Sequence, residues 1–514
     1  MTSLLTICKR CRLFWDPSVE VACRGSHASG ARTLAPMGKA SRRKQELYQG
    51  VDGQGRPLFP QAGSAAVSLL GVPVSWVLAV VAASLWVGAH LPEPIAPLAG
   101  VGYLISAIAL GLLSPALGAG FAIVLVPYLG GNVSQGLGEL LRTAPIIGAA
   151  IRLLVDRFNQ RRGAGTPWAP DWRIVAAAVA AMMLYPLTRL TANGSKWATS
   201  NTLLDDTLFL IGAPVAMYAA WITFSHLPRS ASNRVLSYLP VALTVALVVA
   251  LAAWVGVSLV DPLTFRGVVY GRLAGLGFPT PTAMGVAITL PLAVGLLWGT
   301  SRRWAAALAL LGVLVIVLTE SRGPLLALFA AGATALLLLR GLQRRVIVAA
   351  LAFAALALVA LLMVRYPDLI GRLSSGTLPN LEGDALRVIS WVAAIQIVLA
   401  NPITGGGWMS VRGWNDRELG RENVNLSHNV FLQGLADGGV PLGVAIGTVL
   451  LSSARSAWSR RHEVPVYWVA AAVALFICGA WDMPQLRSFA ALMGGLALGL
   501  VSRHDVPDEP EVSW

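Results

Sequence analysis

Residues 241–260 read VALTVALVVALAAWVGVSLV, a stretch that contains no charged side chain. A helix that crosses the hydrocarbon core of a bilayer needs about 20 consecutive, mostly apolar residues. Comparable runs recur along the chain, for example VIVAALAFAALALVALLMV at 346–364. Repeated runs of this length predict a chain that crosses a membrane many times.

The composition points the same way. The 514 residues are 56% hydrophobic and only 12% charged, and the mean hydropathy is +0.66, whereas soluble domains carry roughly 25% charged residues. The net charge of +14 would suit a nucleic-acid partner, but arginines in short loops between apolar runs are typical of cytoplasmic loops in membrane proteins. We therefore predict an all-α polytopic integral membrane protein, with membrane lipids as partners and no nucleic acid.

Basic clusters between the apolar runs predict the topology. Arg302–Arg303, Arg344–Arg345 and Arg460–Arg461 are expected on the cytoplasmic side. This places both termini inside and predicts about twelve transmembrane helices, near residues 66–90, 98–128, 172–189, 207–225, 236–260, 282–300, 304–320, 324–340, 346–364, 440–453, 466–482 and 485–502. The segment 139–158 is expected to lie along the inner surface. The alternative is a break at Ser114–Pro115, which would make this segment cross the membrane and give fourteen spans.

The two ends of the chain differ from the apolar region. Residues 1–64 predict a basic, disordered cytoplasmic tail without a signal peptide, residues 65–503 a transmembrane domain, and residues 504–514 a short cytoplasmic tail. Cys8, Cys11, Cys23 and His27 have a spacing that could hold zinc. The surrounding segment has almost no apolar core, so we favour a tail without metal. Cys478 falls inside an apolar run and is expected to be an inert buried thiol.

Three polar stretches fall on the outer side in this topology: 261–281, the tight turn 319–324, and 365–439, which we predict to be one large, helical periplasmic loop. The positive-inside rule discourages arginine there, yet Arg322 follows Glu320 in the tight turn. Two interpretations stay open. Arg322 pairs with Glu320 or a lipid headgroup, or its planar guanidinium binds a phosphate.

Four stretches together resemble the O-antigen ligase and polymerase family of bacterial envelope glycosyltransferases. They are RLAGLGFPTPTAMG (272–285), TESRGPLLAL (319–328), RVISWVAAIQIVLANPITGGG (387–407) and SHNVFLQGLADGGVPLG (427–443). The resemblance covers roughly residues 265–445. Thr280 stands where asparagine is common in the family.

The resemblance implies a GT-C type membrane fold and a transferase that uses no metal or other cofactor. Such an enzyme takes a glycan from an undecaprenyl diphosphate carrier and passes it to an acceptor hydroxyl with inversion, at the outer face of the inner membrane. We favour an O-antigen ligase whose acceptor is lipid A-core or a similar lipid. The alternatives are an O-antigen or exopolysaccharide polymerase and a protein O-oligosaccharyltransferase. A polysaccharide or lipid transporter is disfavoured, because transporters place polar groups near the bilayer midplane.

The same resemblance implies roles for individual residues. His428 is expected to be the general base, because imidazole titrates near working pH, while Arg322 and Arg272 stabilise the departing diphosphate. The predicted substrate-binding residues are Arg266, Arg387, Trp391, Ser321, Asn429 and Glu382. An alternative makes His428 a diphosphate-binding imidazolium, with Glu382 or Asp384 as base.

Two further features of the large loop have simpler interpretations. The Gly405–Gly407 turn is expected to serve backbone geometry. Trp408 and Trp414 are expected to be interfacial anchors rather than platforms for sugar rings.

Overall fold

The computed structural model describes residues 68–69, 72–88, 95–125, 135–161, 172–191, 203–256, 266–269, 272–275, 279–338, 345, 348–349, 352, 381–419 and 426–503. The chain divides into two units, Met1–Gly71 and Val72–Trp514. In the first unit, the structure describes only the short strand β1 (Ser68–Leu69). The cysteine-rich segment, both predicted tails and most of the span predicted at 346–364 lie outside the described residues.

The second unit is built almost entirely from helices. Its elements before residue 260 are β2 (Val72–Pro73), α1 (Val74–Gly88), α2 (Ile95–Leu113), α3 (Pro115–Leu125), α4 (Gln135–Arg161), α5 (Trp172–Thr191), α6 (Leu203–Leu210), a π-helical turn (Ile211–Val215), α7 (Ala216–His226), α8 (Arg229–Ser237) and α9 (Leu239–Trp254).

The elements after residue 260 carry most of the predicted site. They are β3 (Arg266–Val269), β4 (Arg272–Gly275), α10 (Pro279–Trp298), α11 (Arg302–Leu318), α12 (Arg322–Leu338), α13 (Leu381–Ala400), α14 (Ser410–Leu419), α15 (Val430–Ser459), α16 (Val466–Trp481), a 3-10 turn (Pro484–Leu486) and α17 (Ser488–Ser502).

Five helical stretches of the described chain are long and apolar enough to cross a bilayer: Trp172–Leu190, Leu203–His226, Arg229–Trp254, Pro279–Trp298 and Val430–Ser459. Helix α9 shows why they suit a membrane. Leu243 and Leu247 are buried against neighbouring helices, while Val241 and Val245 are exposed. A helix that is apolar on both its packed and its open face is typical of a membrane bundle. The prediction of a helical polytopic membrane protein is confirmed.

One end of this bundle is formed by the end of α16 and the starts of α12 and α17. Helix α16 ends there at Trp481, and α17 begins there at Ser488 after a short connection. Helix α12 begins beside Trp481, since a Cβ on Gly323 would lie 3.4 Å from the Trp481 Cβ atom. We call this the His428 end, because His428 contacts Asp482 directly after α16.

Helix α4 does not lie along one surface of the bundle, as the sequence predicted, but runs through it. Near its start, the Glu139 carboxylate accepts a hydrogen bond from the Ser488 backbone amide at the His428 end. Near its finish, Arg157 contacts the His226 ring at the end of α7. The two positions are about 27 Å apart at about 1.5 Å per helical residue. The expectation of an interfacial helix was wrong, because small and apolar residues bury the middle of α4.

Close packing of small residues explains that placement. A Cβ on Gly148 of α4 would lie 2.3 Å from the Ile108 carbonyl oxygen of α2, and one on Gly111 would lie 2.2 Å from the Pro145 carbonyl oxygen. Glycines therefore let the two backbones approach closely, as is common between membrane helices. The single span predicted over 98–128 is also corrected, because the chain breaks at Ser114 between α2 and α3.

Helix α15 is a hairpin of two limbs rather than one straight rod. Gly439 has φ 68° and ψ −166°, which are not helical angles. After this turn the chain folds back, so that a Cβ on Gly447 would lie 3.1 Å from the ring of Phe431 and one on Gly443 would lie 2.1 Å from Leu435. The second limb, residues 440–459, begins where the sequence predicted a span at 440–453.

A small β-hairpin interrupts the helices within the stretch 261–281. Strands β3 and β4 pair antiparallel, with Val269 opposite Arg272 and Arg266 opposite Gly275. Strand β4 contacts α9, α10 and α11, and the Leu273 side chain is fully buried in the main core. The hairpin is therefore held against the helices that flank it.

Candidate active site

His428 occupies a strained position between the large loop and α15. Its backbone has φ 51°, in the left-handed region that non-glycine residues rarely adopt. The side chain is 38% exposed, and Nδ1 lies 3.4 Å from Oδ1 of Asp482. That distance is long for a hydrogen bond, but the Nδ1 edge of the ring faces the carboxylate. Nε2 is then the ring nitrogen that faces away from Asp482.

Asn429 begins α15 as its N-cap. The Oδ1 atom accepts hydrogen bonds from the backbone amides of Phe431 and Leu432, each at 3.0 Å, and Nδ2 donates to the Ala480 carbonyl oxygen at 3.3 Å. An asparagine in this position satisfies amide donors that the helix leaves without partners. Asn429 thus holds the His428 loop against the end of α16, while its predicted contact with substrate stays a prediction.

Arg322 begins α12 directly after the tight turn predicted from the sequence. In that turn Glu320 has φ 52°. The buried Ser321 hydroxyl lies 3.4 Å from Oγ1 of Thr280 and 3.3 Å from the Thr319 carbonyl oxygen, so it ties α12 to α10. The Arg322 side chain itself is exposed.

Arg322 and His428 reach the same part of the fold through α16. The residue after Arg322, Gly323, packs against Trp481, and the residue after Trp481 is Asp482, which contacts His428. The structure therefore brings the predicted base and one predicted arginine to the His428 end.

For Arg272 and Arg266 the structure describes the backbone but not the side chains. Their β-hairpin contacts α10, which contains Thr280, and α11, which ends shortly before Ser321. The side chains of Glu382 and Asp384, at the start of α13, also lie outside the described part of the structure. The predicted roles of these four residues stay predictions.

Arg387 and Trp391 lie on α13 and are both partly buried. The Trp391 ring sits 6.4 Å from the Trp481 ring, with 42° between the ring planes, so α13 also reaches the His428 end. Further along, Ala393, Ala394 and Ile397 form a small apolar core with Val411 and Ala436. This core fixes α13 and α14 to the first limb of α15.

The Gly405–Gly407 turn serves backbone geometry, as predicted. Gly405 and Gly407 have φ of 64° and 80°, and the amides of Gly406 and Gly407 donate to the carbonyl oxygens of Ala436 and Asp437 at 2.7 and 3.0 Å. Trp408, in contrast, is not an interfacial anchor. Its side chain is 8% exposed, and its ring packs 5.8 Å from that of Phe209.

The charged cluster that surrounds Asp482 was not predicted from the sequence. The spans predicted at 466–482 and 485–502 leave almost no room for a polar connection, whereas α16 ends at Trp481 and α17 starts at Ser488. The signal was present as WDMPQLRS, which carries Asp482 and Arg487 between two apolar runs. Aspartate and arginine in such a place indicate the end of a span more strongly than hydropathy does.

Electrostatics link that connection to α4. The Arg142 Nη1 atom lies 3.1 Å from Oε1 of Glu139, and the other Glu139 oxygen caps α17 at Ser488. Partial burial lowers the pKa of the Arg487 guanidinium, and Arg142 lowers it further, while Glu139 and Asp482 raise it. Since the ordinary pKa of arginine is above 12, Arg487 adds a fixed positive charge beside Asp482.

Beneath the His428 loop lies an apolar cavity of about 190 Å³. Asn429, Phe431, Leu475, Phe476 and Ala480 are among its lining residues. Within the part of the chain that the structure describes, no three His, Cys, Asp or Glu residues are grouped closely enough to hold a metal ion.

The comparison with known families matches the region that contains this site. Residues 305–447 match the family model described as O-antigen ligase, a range that contains Ser321, Arg322, Trp391 and His428 and ends in the second limb of α15. No curated protein matches the chain. The match, together with the apolar helices, supports a bacterial membrane enzyme of the O-antigen ligase or polymerase type that acts on lipid-linked glycans. Residues 305–447 are thus similar to the O-antigen ligase family, in agreement with the resemblance of the sequence motifs.

Proposed function

We propose that this chain transfers a glycan from an undecaprenyl diphosphate carrier to an acceptor hydroxyl, with inversion and without a metal, at the periplasmic face of the bacterial inner membrane. The observation that carries the proposal is the convergence of His428 and Arg322 on the end of α16, with Asp482 against the imidazole. We further propose a GT-C type arrangement with about fourteen spans, the alternative that follows from the break at Ser114 and the path of α4 through the bundle, with tails at 1–64 and 504–514 and a periplasmic loop at 365–439.

The chemistry assigns one task to each group. Nε2 of His428 accepts the proton of the acceptor hydroxyl while the hydroxyl oxygen forms a bond to the anomeric carbon. The bond from that carbon to the diphosphate oxygen breaks, and both bonding electrons leave with the diphosphate. Arg322 and Arg272 stabilise this growing negative charge, and Asp482 stabilises the imidazolium that forms. A positioned base contributes about 10²- to 10⁴-fold to a rate of this kind.

The remaining residues bind and orient the substrate in this proposal. Arg387 contacts phosphate, Trp391 stacks on a sugar ring beside Trp481, and Ser321 and Asn429 hold the turns that carry Arg322 and His428. Glu382 and Arg266 contribute polar contacts from α13 and the β-hairpin.

The direct test uses purified full-length protein in liposomes with an undecaprenyl diphosphate oligosaccharide and a lipid A-core acceptor. Wild type should transfer the oligosaccharide in the presence of a chelator. His428→Ala and Arg322→Ala should each lower kcat by about 10²-fold or more, since each removes a group acting on the transition state. Two exposed residues expected at the opposite end provide matched controls: His462→Ala and Arg303→Ala should stay at the wild-type rate.

Three results would contradict parts of the proposal. Undiminished transfer by both site variants would remove the site assignment. Dependence on a divalent metal would remove the metal-independent mechanism. Formation of longer carrier-linked chains without any lipid A-core product would favour the polymerase, and movement of intact donor across the bilayer without transfer would favour a transporter.

A further inference from the structure

We propose that Gln433, held by Asp437, is a positioning residue for His428. This inference rests on the proposed function, since it assigns the network a part in glycan transfer. It concerns side chains that carry no predicted role, and the sequence offered no reason to single them out.

The Ser427 amide precedes the N-cap of α15, so the helix itself offers it no acceptor. Ser427 is fully buried, and a buried amide without a partner is costly. The Oε1 atom of Gln433 supplies the acceptor at 2.9 Å. The Ser427 hydroxyl then donates to the Asn429 carbonyl oxygen at 3.0 Å. The chain is thereby fixed on both sides of His428.

Ser427 and Asp437 together fix which way the Gln433 amide points. The Ser427 N–H can only donate, so Oε1 must face it and the NH₂ group then faces the Asp437 oxygens. Gln433 Nε2 lies 2.9 Å from both Asp437 oxygens, and this orientation turns Oε1 toward Ser427. Both side chains are completely buried. Water does not compete for these bonds.

The network also reaches the turn between α13 and α14. The Ser410 hydroxyl donates to Oδ1 of Asp437 at 3.1 Å, and the Gly407 amide donates to the Asp437 carbonyl oxygen at 3.0 Å. One end of the network therefore holds the turn between α13 and α14, and the other end holds the backbone of His428. This arrangement keeps His428 at a positive φ that its own residue type disfavours.

The first test replaces Gln433 by Leu in the full-length protein and measures both kinetics and hydrogen exchange. We expect kcat for transfer from undecaprenyl diphosphate oligosaccharide to fall by about 10-fold or more, with KM changed by less than about 2-fold, because orientation of the base acts on the chemical step. Exchange of the Ser427 amide, measured by mass spectrometry of its peptide, should accelerate by about 10-fold or more. Gln396→Leu makes the same change on an exposed face of α13 and should alter neither quantity.

A double variant separates positioning from general stability. If Gln433 acts through His428, Gln433→Leu should cause no further loss of residual activity in a His428→Ala background. A further loss there, or an unchanged kcat in the single variant, would overturn the proposal. If Gln433→Leu fails to fold, Gln433→Met keeps the length of the side chain and removes both amide groups. It should give the same two changes.

The exchange measurement also separates this proposal from the proposed function. If wild-type protein transfers no glycan, the proposed function fails and the positioning role fails with it. Faster exchange in Gln433→Leu would then still establish the hold on Ser427. Unchanged exchange at Ser427 would overturn the proposal whatever the activity.

Discussion

His428 has a backbone conformation that costs free energy, and the neighbouring side chains show how it is maintained. A left-handed φ in a residue that is not glycine costs about 1–3 kcal/mol, and in enzymes such strain is concentrated where a side chain must be aimed. Here Asn429 caps the following helix and Gln433 holds the preceding amide. The ring is then presented to Asp482 at the end of another helix. Three side chains from two segments therefore position one imidazole.

Replacing Asp482 by Asn tests the residue scale most directly. Asparagine keeps the size of the side chain and can still accept the Met483 amide, which lies 2.9 Å from Oδ1, but it removes the negative charge that stabilises an imidazolium. We expect kcat to fall by about 10- to 100-fold, part of what a general base supplies, while KM stays within about 2-fold. Initial rates across a range of donor concentrations would measure both.

The exposed carboxylate of Glu463 provides the matched control for Asp482. Glu463 pairs with Arg460 near the start of α16, far along the sequence from the His428 loop, and Glu463→Gln should not change kcat. If Asp482→Asn retained the wild-type kcat, the carboxylate would not support the base, and the alternative with Glu382 or Asp384 as base would gain support.

At the scale of elements, the hairpin in α15 explains how a loop residue reaches the end of a spanning helix. The first limb returns along the second because the chain reverses at Gly439. The reversal also holds the Asn401–Pro402 turn in place, because the Val440 amide donates a hydrogen bond to the Pro402 carbonyl oxygen at 2.7 Å. The turn NPITGGG (401–407) and the segment DGG (437–439) thus pack against each other and form one joint.

Gly439→Ala tests this joint. Alanine would be strained at φ 68°, and its Cβ would lie 2.5 Å from the Ile403 carbonyl oxygen. Strain of this kind costs about 1–3 kcal/mol before any clash is counted. We expect a lower thermal midpoint in detergent, together with a loss of glycan transfer. Both follow from displacement of the first limb and of the His428 loop that it carries.

Two other glycines separate strain from collision. Gly256 has φ 87°, but a Cβ added there would meet nothing within 4 Å. Gly299 has an ordinary φ, and a Cβ added there would also meet nothing. Gly256→Ala should lower the thermal midpoint less than Gly439→Ala, and Gly299→Ala should leave it unchanged. Equal midpoints for Gly439→Ala and wild type would show that the joint tolerates a side chain, contrary to the close approach described here.

The sequence predicted the apolar helices well and their polar boundaries poorly. Length and hydropathy locate α9 and the second limb of α15, because lipid contact demands apolar side chains throughout. The same criterion missed α4, whose arginines and Glu139 lower its hydropathy while its glycines and alanines pack inside the bundle. Hydropathy also missed Asp482. Its partner His428 is 54 residues away in sequence, and local periodicity does not indicate such a distant contact.

At the scale of the whole molecule, the two ends of the bundle differ in their charged groups. The His428 end contains acidic residues together with arginines: Asp482 beside Arg487, and Glu139 paired with Arg142. At the opposite end arginines predominate: Arg157 contacts His226, Arg503 donates to the Leu227 carbonyl oxygen at 3.0 Å, and Arg460 pairs with Glu463. The basic character of that end suits the cytoplasmic side. This orientation agrees with the proposal that transfer takes place at the outer face of the membrane.

The path of α4 gives the sharpest test of this orientation. Because α4 runs from the His428 end to the Arg157 end, Leu137 and Asn159 should face opposite sides of the membrane. Single cysteines at these positions, in a chain whose four native cysteines are replaced by serine, would be labelled with a membrane-impermeant thiol reagent in intact cells. Leu137→Cys should react from outside, and Asn159→Cys, which is exposed, should react only after the membrane is opened. Protection of both in intact cells would restore the surface helix predicted from hydropathy, and it would also separate Glu139 and Arg142 from the outer face that the proposed site requires.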